Sequence, residues 1–368
     1  MADYKLFSAD SHVSEPLDLW TTRLEPRFRN RAPHAEQREQ DGQLLEYWVF
    51  EGFEPHRLSV GVAAAAPSGD RIAFKARANY ADARPGGWDP VERLNDQDVD
   101  GVDGEVLHTT LGFRLFWLED AELQRACFRV YNDWLADYCR HSPGRLVGLA
   151  LISLTDIDLA VQELRRCFGM GLQGAMIWNS PPDKRPYSSD EYNPFWSAAQ
   201  ELEMPLSLHA LTGFRESRIP LSSVFFITST YHEVERTLTT IVLSGVLERF
   251  PTLKFISVES QAGWIPYFLQ RLDRAAKTRR DAYPTHLTLT PREYFQRQVY
   301  ATYIDDPVAI RMLEVIGAGN LLWSSDYPHQ ASSWPHSQEA VERDFGNLAP
   351  DVRRKVVRDN VMNLYQLE

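Results

Sequence analysis

Short apolar runs alternate with longer amphipathic stretches along most of the chain. Runs rich in Val, Ile, Leu and Phe that are bounded by turns are typical of buried parallel strands. The runs predicted as strands are Lys5–Asp10, Gly104–Thr109, Leu146–Ile152, Gly174–Trp178, Leu206–His209, Leu253–Val258, Gln298–Thr302 and Asn320–Ser324. The stretches predicted as helices lie near 90–98, 118–141, 156–168, 189–203, 231–249, 262–277, 305–316, 336–346 and 350–362.

Strands and helices in this order predict parallel βαβ units, which fit an open doubly wound sheet or a closed (β/α)8 barrel. The first strand lacks the Gly-x-Gly-x-x-Gly turn that marks many doubly wound dinucleotide-binding folds. Chemically able side chains recur at the C-terminal ends of the strands, and a barrel gathers those ends on its active-site face. The pattern therefore favours the α/β class and one TIM-barrel domain over residues 1–368.

Residues 13–90 do not follow this alternation. They contain an Arg-rich stretch at 23–38, a strand-like piece at Tyr47–Phe50 and the Ala/Gly/Pro-rich run Val62–Gly69. We predict a long insertion after the first strand that contains a small hairpin. Such an insertion is often a lid or a binding segment, and an oligomer contact is equally consistent with it.

The composition narrows the class of protein. Lys and Arg number 39 and Asp and Glu number 51, so the formal net charge is −12. This balance disfavours a nucleic-acid partner, which would need a basic surface. A secretion signal is not evident, and no apolar run approaches the about 18 residues of a membrane span. We therefore expect a cytoplasmic enzyme that acts on a small molecule, with no nucleic-acid or membrane partner.

The cysteines do not point to a metal site or a disulfide framework. Cys127, Cys139 and Cys167 fall in predicted helices, and no Cys-x-x-Cys pair occurs. We expect all three to be small buried apolar side chains.

The first predicted strand leads into Asp10-Ser11-His12, and Glu15 follows shortly after. Residues two apart in a strand point to the same side, so Asp10 and His12 can both face the barrel interior and bind one ion. We predict that Glu15 orients this pair from behind. A loop with an Asx-type turn is the alternative structure for Asp10-Ser11-His12.

Two further candidates end later strands. His209 stands in P-L-S-L-H-A, where a buried core histidine is the alternative to a metal ligand. Asp326 stands in L-L-W-S-S-D-Y-P-H, where a turn aspartate is the alternative to a ligand that also carries protons. His329 follows three residues later, and we predict that it faces the substrate or supports the ligands rather than binding the metal.

Together, these two imidazoles and two carboxylates predict a metal site. Asp10, His12, His209 and Asp326 form a mixed nitrogen and oxygen set that suits Zn²⁺, and Mn²⁺, Mg²⁺ and iron also fit it. A carboxylate beside a dication stays ionised, so Asp326 can also act as a base. The fourth strand, G-A-M-I-W, has no lysine to bridge a second metal. We therefore predict one ion.

An ordered set of motifs resembles a known family. The motifs are A-D-S-H-V, N-D-W-L-A-D-Y-C, P-G-R-L-V-G-L-A, Y-N-P-F-W, M-P-L-S-L-H, E-R-F-P-T-L-K-F, G-W-I-P-Y-F-L-Q-R-L-D and W-S-S-D-Y-P-H. This set resembles the amidohydrolase-related branch of the amidohydrolase superfamily, which includes the aminocarboxymuconate-semialdehyde, resorcylate and carboxyvanillate decarboxylases. The resemblance implies a (β/α)8 barrel with one divalent metal held by the four residues named above, and a homodimer.

The chain departs from the family at the sixth predicted strand. Family decarboxylases often carry a histidine there as a general acid or base, whereas this chain has Glu259 in S-V-E-S-Q-A-G-W. The ordinary pKa of Glu is about 4.3, against about 6.5 for His. Proton donation by Glu259 near neutral pH would therefore require a raised pKa.

Three functions remain open on this basis. The first is a non-oxidative decarboxylase of an aromatic or unsaturated acid, in which Asp326 or Glu259 protonates the carbon that loses carbon dioxide. The second is a hydrolase of a C–C, C–N or ester bond that uses a metal-activated water, Asp326 as base and Glu259 or His329 at the leaving group. The third is a binding protein without catalysis. Carbon dioxide release and incorporation of solvent oxygen distinguish the first two.

Candidate substrate contacts lie near the strand ends. Phe113, Trp117 and Trp178 could stack on a substrate ring, and Arg114 or Arg215 could pair with its acid group. For each of these residues, packing or surface exposure is the alternative role.

Overall fold

The strands of the computed structural model divide into a central sheet and a small peripheral one. The structure describes residues 4–58, 66, 71, 74, 77–213, 224–279 and 287–368. The strands are β1 (Leu6–His12), β2 (His34–Gln40), β3 (Gln43–Val49), β4 (His56–Arg57), β5 (Val102–His108), β6 (Leu146–Leu151), β7 (Gly174–Ile177), β8 (Leu206–His209), β9 (Phe255–Val258), β10 (Val299–Tyr303) and β11 (Leu321–Trp323).

Helices follow the strands of the central sheet. The α-helices are α1 (Leu19–Arg23), α2 (Pro90–Asp100), α3 (Ala121–Cys139), α4 (Ile157–Gly169), α5 (Asn193–Glu201), α6 (Val224–Leu243), α7 (Val246–Arg249), α8 (Ile265–Thr278), α9 (Pro291–Gln298), α10 (Pro307–Arg311), α11 (Leu313–Ile316), α12 (Ser337–Phe345), α13 (Pro350–Arg354) and α14 (Asn360–Leu364). Short 3-10 helices span Pro26–Arg31, Tyr80–Asp82, Pro85–Gly87, Gly112–Trp117 and Asp190–Tyr192, and a π-helical turn spans Lys355–Asp359.

The central sheet is a parallel barrel. Its strand order is β1, β5, β6, β7, β8, β9, β10, β11, and each strand pairs in parallel with the next. The seam between first and last strands is joined by two backbone bonds, from the Asp326 amide to the Asp10 carbonyl (3.0 Å) and from the His12 amide to the Tyr327 carbonyl (2.6 Å). The predicted (β/α)8 barrel and the order of its eight strands are confirmed.

Local sequence explains where several helices begin. Asp89, Asp120, Asp156 and Asp306 precede α2, α3, α4 and α10, and each side chain accepts a hydrogen bond from amides of the first turn. These amides have no partner within the helix, so a capping carboxylate satisfies them. In β6, β7 and β9 every residue is buried, as expected for parallel strands that are covered on both faces.

The insertion after β1 contains more regular structure than the sequence indicated. Besides α1, it holds the antiparallel hairpin of β2 and β3, with β4 added as a third strand. Trp48 on β3 packs against Trp20 with ring centroids 5.4 Å apart, and the Trp20 indole donates to the Cys127 carbonyl on α3. The hairpin is thereby anchored on the barrel's helical layer. The run Val62–Gly69 lies outside the described residues except for residue 66.

Other boundaries differ from the predicted ones in small ways. The first strand extends to His12, so this residue lies inside the strand. The helix predicted at 305–316 is divided into α10 and α11, which meet at Met312. The three cysteines are buried as predicted. In the part of the chain that the structure describes, no helix is long and apolar enough to cross a membrane.

A buried ion pair joins α2 to the first two barrel strands. Arg93 is fully buried, and its Nε donates to Glu105 on β5 at 2.5 Å. Its Nη1 donates to the His12 carbonyl at 2.8 Å, and its guanidinium lies 4.4 Å from the centre of the Tyr327 ring. One cation therefore holds the helix, the end of β1 and the segment after β11 together.

Loss of this cation should destabilise the fold strongly. The Arg93→Met variant leaves the Glu105 carboxylate buried without its cationic partner, so the free energy of unfolding should fall by roughly 3–5 kcal/mol, measured by urea denaturation. Arg140→Met is the control, because the ion pair of Arg140 with Asp137 is exposed and its loss should cost at most about 1 kcal/mol. Equal losses in both variants would contradict the role assigned to Arg93.

Candidate metal centre

The end of β1 directs two ionisable side chains into the barrel. Asp10 and His12 are fully buried, and His12 Nε2 lies 3.4 Å from Asp10 Oδ1. The pairing of β1 with β5 shifts by one residue between Ser8 and Ser11, the stretch that contains Asp10. Such a bulge bends a strand and re-aims a side chain, and bulges are frequent beside active sites.

Two histidines have one ring nitrogen fixed by a backbone carbonyl. His12 Nδ1 lies 2.8 Å from the Thr109 carbonyl, and His209 Nδ1 lies 2.7 Å from the Ala210 carbonyl. Because a carbonyl oxygen only accepts, both Nδ1 atoms carry a hydrogen, and Nε2 is the ring nitrogen left to face the centre. His209 Nε2 lies 3.5 Å from Asp10 Oδ1. Both Nε2 atoms therefore face the same carboxylate oxygen.

Asp326 approaches the same histidine from the end of the last strand. Its Oδ1 lies 3.3 Å from His12 Nε2 and 3.2 Å from His329 Nδ1. The His329 ring stacks on the His12 ring with centroids 3.8 Å apart. His329 is thus in direct contact with the centre. The sequence predicted only that it faces the substrate or supports the ligands.

Two of the residues that supply carboxylates have an unusual backbone conformation. Asp326 has a φ of 54° and Glu259, directly after β9, has a φ of 55°. Both values lie in the left-handed region, which non-glycine residues adopt at a cost of order 1–3 kcal/mol. Such residues cluster at active sites and ligand clamps, because the surrounding structure holds them there for their side chains.

Glu259 is the most exposed member of the centre, with a quarter of its side chain accessible. Its Oε2 lies 3.7 Å from His209 Nδ1, beyond hydrogen-bonding distance. Burial raises the pKa of Glu259; His209 lowers it, and Asp326 and Asp10 raise it further, so that the pKa is about 8. In the protein without a bound cation, burial and the neighbouring carboxylates thus raise the pKa of Glu259 toward the range that a proton donor needs at neutral pH.

Ion pairing sets the charge of the other groups. Burial raises the pKa of Asp10, but His108 and His209 outweigh burial and hold that pKa well below its ordinary value. Burial lowers the pKa of His209, yet the Asp10 carboxylate raises it overall to about 9. Burial and the neighbouring His329 lower the pKa of His12 to about 3. Asp10 is thus anionic and His12 neutral at pH 7, as metal ligands must be. With a pKa of about 9, His209 carries a second proton at pH 7 in the absence of metal, and it would release that proton on binding a cation.

The donor set fits a divalent cation. Within the described residues, Asp10 Oδ1 and Oδ2, His12 Nε2, His209 Nε2 and Asp326 Oδ1 are buried and have no hydrogen-bond partner. Buried polar atoms nearly always have a partner, and a cation would supply one to all of them at once. Donor atoms within 4.8 Å of one another form two groups that share His12: one contains Asp10 and His209, and the other contains Glu259, Asp326 and His329.

A segment that the sequence analysis missed supports this centre. The supporting segment, residues 108–112, begins at the last residue of β5 and contacts three members of the centre. The contacts are His108 Nδ1 to Asp10 Oδ1 (3.1 Å), the Thr109 carbonyl to His12 Nδ1 (2.8 Å) and Thr110 Oγ1 to His329 Nε2 (3.0 Å). His108 at a strand end was the available signal, of the same kind as His209.

Glu15 holds the supporting segment in place. Its carboxylate accepts hydrogen bonds from the amides of Thr110 (3.2 Å), Leu111 (2.8 Å) and Gly112 (3.3 Å). The Thr109 hydroxyl donates to the same carboxylate. Among its described hydrogen bonds, Glu15 therefore contacts the segment behind the ligands rather than Asp10 or His12 themselves.

Of the predicted substrate contacts, Phe113 lies against the centre. Its ring centroid is 4.6 Å from that of His209 and 5.6 Å from that of His12. Trp178 is buried directly after β7, and its carbonyl accepts a hydrogen bond from Tyr187. The structure thus provides an apolar ring beside the histidines.

The arginine candidates lie farther out or outside the described part of the chain. The Arg114 guanidinium lies 5.4 Å from the centre of the Trp117 ring, and Trp117 in turn lies 5.7 Å from Phe53 of the insertion. The insertion therefore contacts the rim of the barrel mouth. Arg215 lies outside the described residues.

Comparison with known proteins places the chain in a family. A family profile described as Amidohydrolase matches residues 15–367. The chain belongs to this family. The resemblance seen in the sequence motifs is thereby confirmed, and so is the predicted enzyme class.

Curated relatives within the family are decarboxylases. The gamma-resorcylate decarboxylase of Polaromonas sp. (strain JS666 / ATCC BAA-500) is 28% identical over 259 residues, which cover 65% of this chain and 76% of that protein. The 2-amino-3-carboxymuconate-6-semialdehyde decarboxylase of Dictyostelium discoideum is 24% identical over 243 residues, which cover 66% of this chain and 67% of that protein.

Solved structures show the same fold. An amidohydrolase from Mycobacterium avium subsp. paratuberculosis K-10 superposes with a TM-score of 0.76 at 20% identity, covering 99% of this chain and 100% of that one. The 5-carboxyvanillate decarboxylase of Novosphingobium aromaticivorans DSM 12444, solved with bound manganese, has a TM-score of 0.69 at 21% identity and covers 99% and 98%.

The support supplied by Glu15 can be measured directly. In Glu15→Gln an NH2 group replaces one acceptor oxygen and faces a backbone N–H. Because two donors then oppose each other and a hydrogen bond is lost, the free energy of unfolding should fall by about 1–3 kcal/mol. The measurement is urea denaturation in the presence of a chelator, so that metal binding does not contribute. Glu39→Gln, an exposed acidic position on β2, is the control and should match the wild type. Indistinguishable curves for both variants would contradict the role of Glu15.

Proposed function

We propose that this protein is a mononuclear metal-dependent enzyme that decarboxylates an aromatic or unsaturated carboxylic acid without an oxidant. The observation that carries the proposal is the convergence of unpartnered buried donor atoms from both ends of the barrel sheet on one face. The curated relatives named as decarboxylases support this chemistry over hydrolysis.

The ligands proposed are Asp10, His12, His209 and Asp326. Two imidazole nitrogens and two carboxylates suit Zn²⁺ or Mn²⁺. Manganese is the ion bound in two related decarboxylase structures, which favours Mn²⁺ alongside the Zn²⁺ expected from the donor set. When bound, the cation would supply a Lewis-acid position for the substrate carboxylate and a neighbouring oxygen.

The residues of this chain then orient the substrate and move a proton. Phe113 packs against the substrate ring, because its own ring lies beside His12 and His209. Asp10 and Asp326 each lie within 3.5 Å of an imidazole nitrogen, whereas the Glu259 carboxylate lies 3.7 Å from His209 Nδ1 and is partly exposed. Glu259 is therefore the carboxyl best placed to hold a transferable proton at the barrel mouth.

The proposed reaction consumes one proton for each carboxylate that leaves as carbon dioxide. Glu259 gives its proton to the ring carbon that bears the carboxylate, and the new C–H bond forms there. The bond from that carbon to the carboxylate breaks, its electron pair restores the ring, and carbon dioxide leaves. Glu259 regains a proton from solvent through its exposed side, so no oxidant or reductant is consumed.

We also propose that the whole chain is one barrel domain in which residues 13–90 form a lid over the mouth. The contact between Phe53 and Trp117 supports this arrangement, because Trp117 donates to the Leu211 carbonyl just after the ligand-bearing strand β8. The homodimer and the cytoplasmic location stay predictions, and size-exclusion chromatography with light scattering would measure the first.

Metal content tests the centre. We expect about one equivalent of a divalent transition metal per chain, measured by elemental analysis, and the measured element decides between zinc and manganese. The double variant with His12→Ala and Asp326→Ala should contain none, because it loses one ligand from each end of the sheet. His141→Ala, which removes an exposed histidine, is the control and should keep the metal. Metal-free wild type whose activity is indifferent to chelators would overturn the proposal.

Product analysis tests the chemistry. Incubation with 2,6-dihydroxybenzoate, 5-carboxyvanillate and related acids in ¹⁸O-labelled water should give carbon dioxide and no labelled oxygen in the aromatic product. Glu259→Gln cannot donate a carboxyl proton, so kcat should fall by roughly 10²–10⁴-fold while metal content stays unchanged. The exposed Glu314→Gln should retain full activity. Labelled oxygen in the product without carbon dioxide would instead establish the hydrolase.

A further inference from the structure

His108 is a buried histidine that the reaction described above does not use. It ends β5, and it is fully buried beside the metal centre. Its Nδ1 lies 3.1 Å from Asp10 Oδ1, an electrostatic contact that does not have hydrogen-bond geometry, and its Nε2 lies 3.1 Å from the Ser207 hydroxyl on β8. The ring therefore bridges the first and fifth strands of the barrel.

The surroundings determine which ring nitrogen carries the hydrogen. Asp10 is anionic, so a lone pair on His108 Nδ1 would face a negative oxygen and would be repelled. A hydrogen on Nδ1 is attracted instead, and Nε2 then accepts from the hydroxyl of Ser207. Ser207 and His209 are two apart on β8, so one strand supplies both a proposed ligand and the hydroxyl that fixes the His108 ring.

His108 stands behind a ligand rather than among the ligands. Donor atoms of the centre form two groups within 4.8 Å of one another, and His108 belongs to neither. Each of the two proposed carboxylate ligands has the Nδ1 atom of a further histidine beside it. Asp326 has His329 Nδ1 at 3.2 Å, and Asp10 has His108 Nδ1 at 3.1 Å. Outer partners of this kind commonly fix the orientation of a ligating carboxylate.

We propose that His108 is a positioning residue for the metal centre, which orients the Asp10 carboxylate through Nδ1 and is itself oriented by Ser207. The contact directs Asp10 Oδ1 between the Nε2 atoms of His12 and His209, at 3.4 and 3.5 Å. This inference rests on the metal centre proposed above, and it adds a residue whose effect is on metal affinity rather than on proton transfer.

Two substitutions separate the two ring nitrogens. In His108→Asn the side-chain amide N–H occupies the place of Nδ1 and can still face Asp10. In His108→Gln the amide reaches the place of Nε2, so it faces Ser207 and leaves Asp10 unsupported. Both replacements are polar amides, so both leave a buried polar group of the same kind in the same pocket.

The measurement is metal affinity, by competition between the protein and a chromophoric chelator for added Zn²⁺ and Mn²⁺. The dissociation constant of His108→Gln should rise by roughly 10–100-fold, the usual effect of removing such a partner. His108→Asn should retain most of the wild-type affinity. Ser207→Ala should weaken binding less than His108→Gln, because the ring keeps its contact with Asp10. Thermal unfolding of the metal-free variants checks that all of them fold.

The outcomes are distinct from those that test the proposed function. Wild type that binds neither ion would overturn the metal centre itself. Wild type that binds a metal while His108→Gln binds it equally well would overturn only the role of His108. An equal loss in His108→Asn and His108→Gln would also overturn it, because the effect would then follow from the ring rather than from Nδ1. Should neither His108 variant fold, a Ser207→Ala affinity equal to wild type would count against the proposal.

Discussion

The structure depends on removing several ionisable side chains from water at one end of the barrel. Buried carboxylates and imidazoles are costly unless each finds a compensating partner. Here, backbone carbonyls fix one nitrogen of His12 and of His209, and the remaining donor atoms converge on one another. The left-handed backbone at Asp326 and Glu259, the bulge in β1 and the supporting segment all serve this convergence.

Sequence pattern predicts the framework because framework residues obey periodic rules. Apolar runs separated by amphipathic stretches predicted the eight parallel strands. The missing Gly-x-Gly-x-x-Gly turn and the reactive side chains at the strand ends then favoured the barrel over an open sheet. The strand-end rule was sufficient to select Asp10, His12, His209 and Asp326, which the structure brings together within a few ångströms of His12 and Asp10. Selecting these residues required only the direction of each strand, because parallel strands place all their C-terminal ends on one face of the barrel.

The parts that could not be predicted depend on contacts between distant positions. Glu15 meets residues 94 to 97 positions away, and His108 meets Ser207 across 99 positions. No local pattern encodes such pairs, because either residue alone is consistent with an ordinary loop or core position. The insertion was predicted to contain a small hairpin, but the bounds of its first strand were not, since β2 is partly to fully exposed and carries little apolar alternation.

Because the barrel closes between its first and last strands, the proposed metal centre is completed late in the synthesis of the chain. The backbone bonds that join β1 to the segment after β11 involve Asp10, His12, Asp326 and Tyr327, so they run between residues at opposite ends of the sequence. During synthesis, the first barrel strand emerges with half of the proposed ligand set, the fifth adds His209, and Asp326 follows only after the eighth barrel strand is complete. A nascent or truncated chain that lacks the last barrel strand could thus form most of the barrel wall without a complete metal site. Closure of the barrel is therefore also the step that completes the proposed site.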